Sequence, residues 1–245
     1  MRKLLVTTLV LSVAFSTGAI ELLAQKAAEG GDTASGYQIL KEYFIDGDWR
    51  FMSFVLVCLI LGLAFCIERI ITLNLATTNT DKLLSNIQDY LQKGDVDSAS
   101  EVCKATTGPA ASVLHEGLKN VSRGPEAVEK AIVSYGSVQM SLLERGLVWI
   151  SLFIAIAPML GFMGTVIGMI QAFDRIAEVG DLSPAVVADG IKVALLTTVF
   201  GLVVAIILQI FYNYIVSKID GIVHKMEEAS VVLIDIMADH NVFNK

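Results

Sequence analysis

The sequence predicts an all-α membrane protein in which three transmembrane helices carry a helical cytoplasmic domain. Three observations lead there. The chain has 245 residues, of which 54% are hydrophobic and 18% charged, a balance too apolar for an ordinary soluble domain. Three apolar runs, Phe51 to Ile67, Leu147 to Phe173 and Val193 to Ser217, contain no charged residue, and each can cross a bilayer. The hydrophilic stretch between the first two repeats apolar residues at helical rather than strand spacing.

Taken in order, Arg2 and Lys3 precede a short apolar stretch from Leu4 to Phe15 and small residues around Ser16 to Ala19. That is the outline of a signal peptide over residues 1–24, cleaved after Ala19 or Ala24; an uncleaved anchor is the rival reading. Residues 25–50 are expected outside the membrane, as a periplasmic amphipathic segment with Ile39, Leu40, Tyr43 and Phe44 on one face and Trp49 at the interface. The first span, residues 51–73, has an apolar run of only about 17 residues and gains length if Arg69 snorkels past Glu68.

Residues 74–145 then form the cytoplasmic helical domain. Asp81 to Lys93 carries Leu83, Leu84, Ile87 and Leu91 on one face and ends at Gly94. Asp97 to Ala105, Ala110 to Leu118 and Glu126 to Leu143 continue the pattern, broken by Gly108-Pro109 and Gly124-Pro125. The second span, residues 146–173, has an apolar run about 40 Å long at 1.5 Å per residue, more than the hydrocarbon thickness, so it tilts or extends as helix beyond one face. A periplasmic loop over 174–189, the third span over 190–217 and a cytoplasmic tail over 218–245 complete the chain. Arg69, Lys82, Arg145, Lys218 and Lys225 flank spans on the assigned inner side, against Arg50 and Arg175 outside, which agrees with the positive-inside rule.

Several function classes fall away. The net charge of −7 is spread over the hydrophilic stretches and forms no basic patch of the kind nucleic acid requires. Cys58, Cys66 and Cys103 show neither disulfide nor metal spacing. His115, His224 and His240 are scattered, and no Ser/His/Asp grouping or phosphate-cradling loop can be assembled. No catalytic residue, metal or cofactor is expected, and the chain reads as a non-enzyme.

The spans themselves carry the remaining signal. Ala157, Gly161, Gly164 and Gly168 form a small-residue ridge on the second span, with Pro158 as a local break. Packing within the subunit explains such a ridge without any further function. Thr165 lies one turn from both Gly161 and Gly168 and shares their face. On the third span Ala194, Thr198, Gly201, Ala205, Gln209 and Asn213 form a small, partly polar stripe, opposite Leu196, Val199, Phe200, Val203, Ile207 and Ile210. Helical periodicity thus separates a lipid-compatible side from one that faces protein or water, with hydration toward the inner end at the two amides.

Thr165 lies nine residues before Asp174, and Thr198 nine after Asp189. In an antiparallel hairpin both hydroxyls then sit about 13 Å in from the outer boundary. Two readings are open: each threonine bonds its own preceding turn, or the two form part of a polar ring. Neither span offers a carboxylate or histidine, so a proton crossing here would need a titrating acid from a second protein, with the hydroxyls solvating it.

Specific motifs carry a family resemblance. Leu143-Glu144-Arg145-Gly146-Leu147 leads into Ala157-Pro158-Met159-Leu160-Gly161-Phe162-Met163-Gly164-Thr165-Val166-Ile167-Gly168-Met169, and Gly190-Ile191 precedes Ala194-Leu195-Leu196-Thr197-Thr198 and Gly201-Leu202. With Glu68-Arg69 and Gly108-Pro109, these resemble the ExbB-like subunits of the MotA/TolQ/ExbB proton channel family from about Tyr37 to Ser217. The resemblance implies a ring-like homo-oligomer, a pentamer, in the bacterial inner membrane with a cytoplasmic C-terminus. It implies a central pore around an ExbD-like single-span partner carrying a membrane aspartate, lined by Thr165 and Thr198. It also implies a TonB-like protein as the receiver of the work, and transport across the outer membrane as its use. TolQ-like envelope maintenance, a motility or secretion stator, and a passive scaffold held by Ala157, Gly161, Gly164, Gly168, Gly201 and Ala205 are the alternatives. One departure stands out: the family glutamate near the start of the third span is here Val193, preceded by Lys192, which either snorkels to the outer interface or gates.

Overall fold

The computed structural model describes residues 49–77, 79–179 and 184–240. The expected signal peptide and the amphipathic segment around Ile39 to Phe44 lie outside the described residues. Among those described, the α-helices in chain order are α1 (Trp49–Ala76), α2 (Thr80–Gln92), α3 (Val96–Ala105), α4 (Pro109–Lys119), α5 (Pro125–Leu143), α6 (Leu147–Val179) and α7 (Pro184–Asp239), with a 3-10 turn at Val121–Arg123. The stretches containing α1, α6 and α7 are long and apolar enough to cross a membrane, and only 22%, 22% and 28% of their most apolar windows are buried within the chain. A water-soluble fold hides such residues; exposed along helices of this length, they suit a lipid environment.

The chain forms two compact units. The larger holds Phe54–Gly161 and Phe200–Lys245, and within it sits a helical domain whose helices are set by local chemistry. Asn79 caps α2 by accepting from the Lys82 amide at 3.3 Å, and Asp95 caps α3 by accepting from the Ser98 amide at 3.0 Å and its hydroxyl at 2.6 Å. These bonds hold the Asp95 carboxyl below its ordinary range. The helices α4 and α5 each begin Gly-Pro, with Gly108 at φ 134° and Gly124 at φ 91°. Those angles suit glycine, and proline at the first helical position sacrifices no hydrogen bond.

The domain's core takes Leu83, Ile87 and Leu91 from α2, Ala99 and Cys103 from α3, Leu114 and Leu118 from α4, and Val128 and Ile132 from α5. It is completed by Met226, Ala229, Leu233 and Met237 of α7. Residues 218–239, expected as a tail, are therefore the continuation of the third long helix and one wall of this domain. Burial pushes the Cys103 thiol up to about 12, as for a small apolar packing group rather than a nucleophile.

A second core in the same unit joins α1 to parts of α6 and α7, through Val55, Cys66, Leu73, Ile150, Ala157, Val204, Leu208 and Ile215. A Cβ built on Gly62 would lie 2.7 Å from both Leu208 methyl carbons. Cys58 and Cys66, one turn to either side of Gly62, are buried. The two thiols thus belong to a small-residue face that admits Leu208.

Candidate functional site

The smaller unit contains the facing arms of α6 and α7 from Phe162 to Val199. Their packing follows from missing side chains. A Cβ on Gly164 would fall 2.7 Å from Thr197 Oγ1, one on Gly168 would meet Ala194 Cβ at 3.4 Å, and one on Gly190 would overlap Ala172 Cβ at 2.3 Å. Each step along α6 is matched by a step back along α7, the register of an antiparallel pair brought close by small residues. Neither Gly164 nor Gly190 can gain a side chain without displacing the opposite helix.

The close approach brings hydroxyls together. Thr165 and Thr198 are hydrogen-bonded to one another across the hairpin through their Oγ1 atoms, and Thr165 also donates to the Ala194 carbonyl at 3.4 Å. Both side chains are half-buried. Thr197, only 1% exposed, donates to the same carbonyl at 2.8 Å. A hydroxyl has one hydrogen to give and two lone pairs to receive with. A hydroxyl can exchange one partner for another by turning about its C–O bond, so the pair can accept from an acid or, by turning, donate to an anion without titrating. Val193 is half-buried and Lys192 exposed, and no carboxylate lies in the arms between Phe162 and Phe173 or between Gly190 and Val199.

The remaining ridge residues belong to the larger unit. A Cβ on Gly201 would stand 2.6 Å from the Ala157 carbonyl oxygen and 3.2 Å from Gly161 Cα, so α6 and α7 make a backbone-to-backbone contact there. Pro158 is half-buried in a helix that runs through it without interruption, and Ala205 is half-buried. The stripe expected on the third span divides: Ala194 and Gly201 are buried, while Gln209 and Asn213 are exposed. Sequence reasoning gave no role to Thr197 or Gly190. Thr197 could have been found from its place three residues after Ala194, where a hydroxyl reaches back to the preceding turn and leaves a small apolar face. Among the described residues no group of His, Cys, Asp or Glu is arranged to hold a metal ion.

Comparison with known proteins places the chain in a family. The chain is 36% identical over 169 residues to a protein of Methanothermobacter thermautotrophicus named as an ExbB homolog, covering 69% of this chain and 60% of the relative. It is 29% identical over 174 residues to the biopolymer transport protein ExbB of Pseudomonas putida, covering 65% of this chain and 52% of that protein. It is 35% identical over 105 residues to the biopolymer transport protein ExbB of Salmonella typhimurium, covering 43% and 41%. The chain thus spans between about two fifths and three fifths of the length of these relatives. A model of the MotA/TolQ/ExbB proton channel family matches residues 105–228, about half of the chain, from the end of α3 through the hydroxyl hairpin into the last part of α7. With three membrane-length helices and these relatives, the chain is an ExbB-like multi-pass membrane protein and belongs to the MotA/TolQ/ExbB proton channel family.

Proposed function

We propose that this chain is the proton-channel subunit of a motor that uses the proton motive force to energise transport across the outer membrane. The observation that carries the reading is the Thr165–Thr198 hydroxyl pair in a hairpin with no titrating group of its own. Such a pair is useful where another polypeptide supplies the acid. An ExbD-like single-span partner with a membrane aspartate fits that need, its carboxylate accepting from the hydroxyls when charged and its protonated form donating to them. The largely uncovered apolar surface of α1, α6 and α7 suits a ring of copies, a pentamer in this reading, around such a partner within lipid. The protein then resides in the bacterial inner membrane, with residues 74–145 and the C-terminal part of α7 in the cytoplasm, and a TonB-like protein receives the work. One charge falling through 100 mV supplies about 2.3 kcal/mol, so a few protons suffice for a substantial conformational stroke. The role is non-enzymatic, with no cofactor or metal.

Thr198→Val tests this directly, because it keeps the shape and removes the hydroxyl. The expected result is an assembled complex of unchanged size in detergent whose proton flux in vesicles is lost. Undiminished flux in this variant and in Thr165→Val would take the hydroxyls out of the proton path and overturn the reading they carry, and a wild-type complex without flux would favour a passive scaffold. Purifying the wild-type complex and sequencing the single-span protein that accompanies it checks the partner: the reading requires an aspartate in that span.

A further inference from the structure

The Ala194 carbonyl is offered more hydrogen bonds than it can accept. In the α7 helix its oxygen receives the amide hydrogen of Thr198. The Thr197 hydroxyl donates to it at 2.8 Å, and the Thr165 hydroxyl reaches it from α6 at 3.4 Å. A carbonyl oxygen has two lone pairs, so of these three donors one must be held weakly. The distances decide which. An O–H···O bond has an ordinary length of about 2.5–3.0 Å, and the Thr165 contact lies beyond that range.

The enclosure of Thr197 gives this ordering its consequence. Its side chain is 1% exposed and lies against bare backbone of α6, where a Cβ on Gly164 would fall 2.7 Å from Thr197 Oγ1 and 2.9 Å from its Cβ. Thr197 therefore has no route to a molecule outside the hairpin and can act there only through a neighbour. Gly164 immediately precedes Thr165, so the close approach that encloses Thr197 also delivers the Thr165 hydroxyl to the carbonyl. Thr165 itself is half-buried and bonded to Thr198. A hydroxyl whose hydrogen is firmly committed to a backbone carbonyl must break that bond before donating elsewhere, whereas one held at long range turns at little cost.

We infer that Thr197 is a positioning residue for the hydroxyl pair: by occupying the Ala194 carbonyl it keeps the Thr165 hydrogen loosely held, ready to turn to an acid brought by the partner. The inference rests on the proton-channel reading. The test uses Thr197→Val, which keeps the shape and removes the hydroxyl, in the full-length protein with its co-purified partner in sealed vesicles. Complex size in detergent and proton flux against pH are measured. With the competing hydroxyl gone, Thr165 closes on the carbonyl, and flux is expected to fall about three- to tenfold in a complex of unchanged size. An acid that loses a donor to its charged form holds its proton more tightly, so the midpoint of flux against pH should rise by about half a unit to one unit. From Phe162 to Phe173 and from Gly190 to Val199 the only charged side chain is Lys192, which is exposed, so the arms supply no carboxylate of their own to account for the shift. Thr197→Ser keeps the hydroxyl and should show wild-type flux and midpoint. If the valine complex does not assemble, Thr197→Ala carries the same expectation as valine. A loss of flux with the midpoint unmoved, or a loss shared by the serine variant, would mean that Thr197 only packs the hairpin and would overturn the inference. Wild-type flux and midpoint in Thr197→Val would overturn it and leave the channel reading standing. A wild-type complex without flux would remove the channel reading and this inference with it, so the two failures are distinguishable.

Discussion

The hydroxyl hairpin and the helical domain are both built of helices, yet they are held together by opposite means. In the domain, large apolar side chains meet: Leu83, Ile87, Leu114, Leu118 and Leu233 are 3% exposed or less, and caps and Gly-Pro starts fix where each helix begins. In the hairpin the contact surface is made of absences, at Gly164, Gly168 and Gly190. The apolar bulk there points outward, with Phe162, Ile170 and Phe173 each at least half exposed. The domain satisfies itself by the hydrophobic effect in water. The hairpin, built on helices of membrane length, gains little from hiding apolar atoms where lipid is the solvent and relies on close backbone approach and hydrogen bonds. Substitutions should respect the distinction.

The largest effect is expected in the domain. Leu114→Ala empties a fully buried site and should cost about 2–5 kcal/mol, read as a lowered melting temperature of the purified protein, with proton flux per assembled complex unchanged. Next comes Gly164→Leu, whose side chain has no room beside Thr197. Overpacking of this kind costs about 1–3 kcal/mol, and because it separates the hydroxyls it should abolish flux even where the protein still assembles. Gly168→Ala sharpens the point: its Cβ would meet Ala194 at an ordinary 3.4 Å, so assembly and flux should stay near wild type. If Gly164→Leu and Gly168→Ala behave alike, the hairpin is not held by close approach at Gly164.

Two smaller effects probe the domain's surface and interior. Asp95 has its carboxyl lowered by the bonds from Ser98, so its contribution is present above the ordinary carboxylate value near 3.8 and fades as pH falls through the lower folded value. The melting-temperature difference between wild type and Asp95→Ala should therefore be constant near neutrality and shrink below pH about 4. Cys103, held near 12, should resist thiolate-selective alkylation at neutral pH until denaturant opens the domain. Alkylation in the folded protein at the rate of a free thiol would contradict its burial.

The same contrast explains what was legible beforehand. The three spans, the four helices after the first of them and both Gly-Pro boundaries follow from local pattern, because hydropathy, periodicity and capping are properties of neighbouring residues. The meeting of Thr165 with Thr198 was approached by counting residues inward from Asp174 and Asp189, which works for an antiparallel pair of regular helices. Thr197 escaped that reasoning, since a hydroxyl bonded to its own preceding turn and buried beside a glycine looks, in sequence, like any other span threonine. The part of α7 from Met226 to Met237 also went unread as a wall of the domain. Its apolar residues recur at helical spacing, but nothing local says that their partners lie about a hundred residues earlier.

That last wall has a bearing on biogenesis. The helices from Thr80 to Leu143 emerge from the ribosome lacking Met226, Ala229, Leu233 and Met237, and at about 5–20 residues per second some 5–20 s pass before those arrive. In the meantime the second and third spans must be threaded into the lipid. The domain's core is thus complete only after the second and third long helices have been synthesised, and until then the seam that Met226, Ala229, Leu233 and Met237 cover stays open.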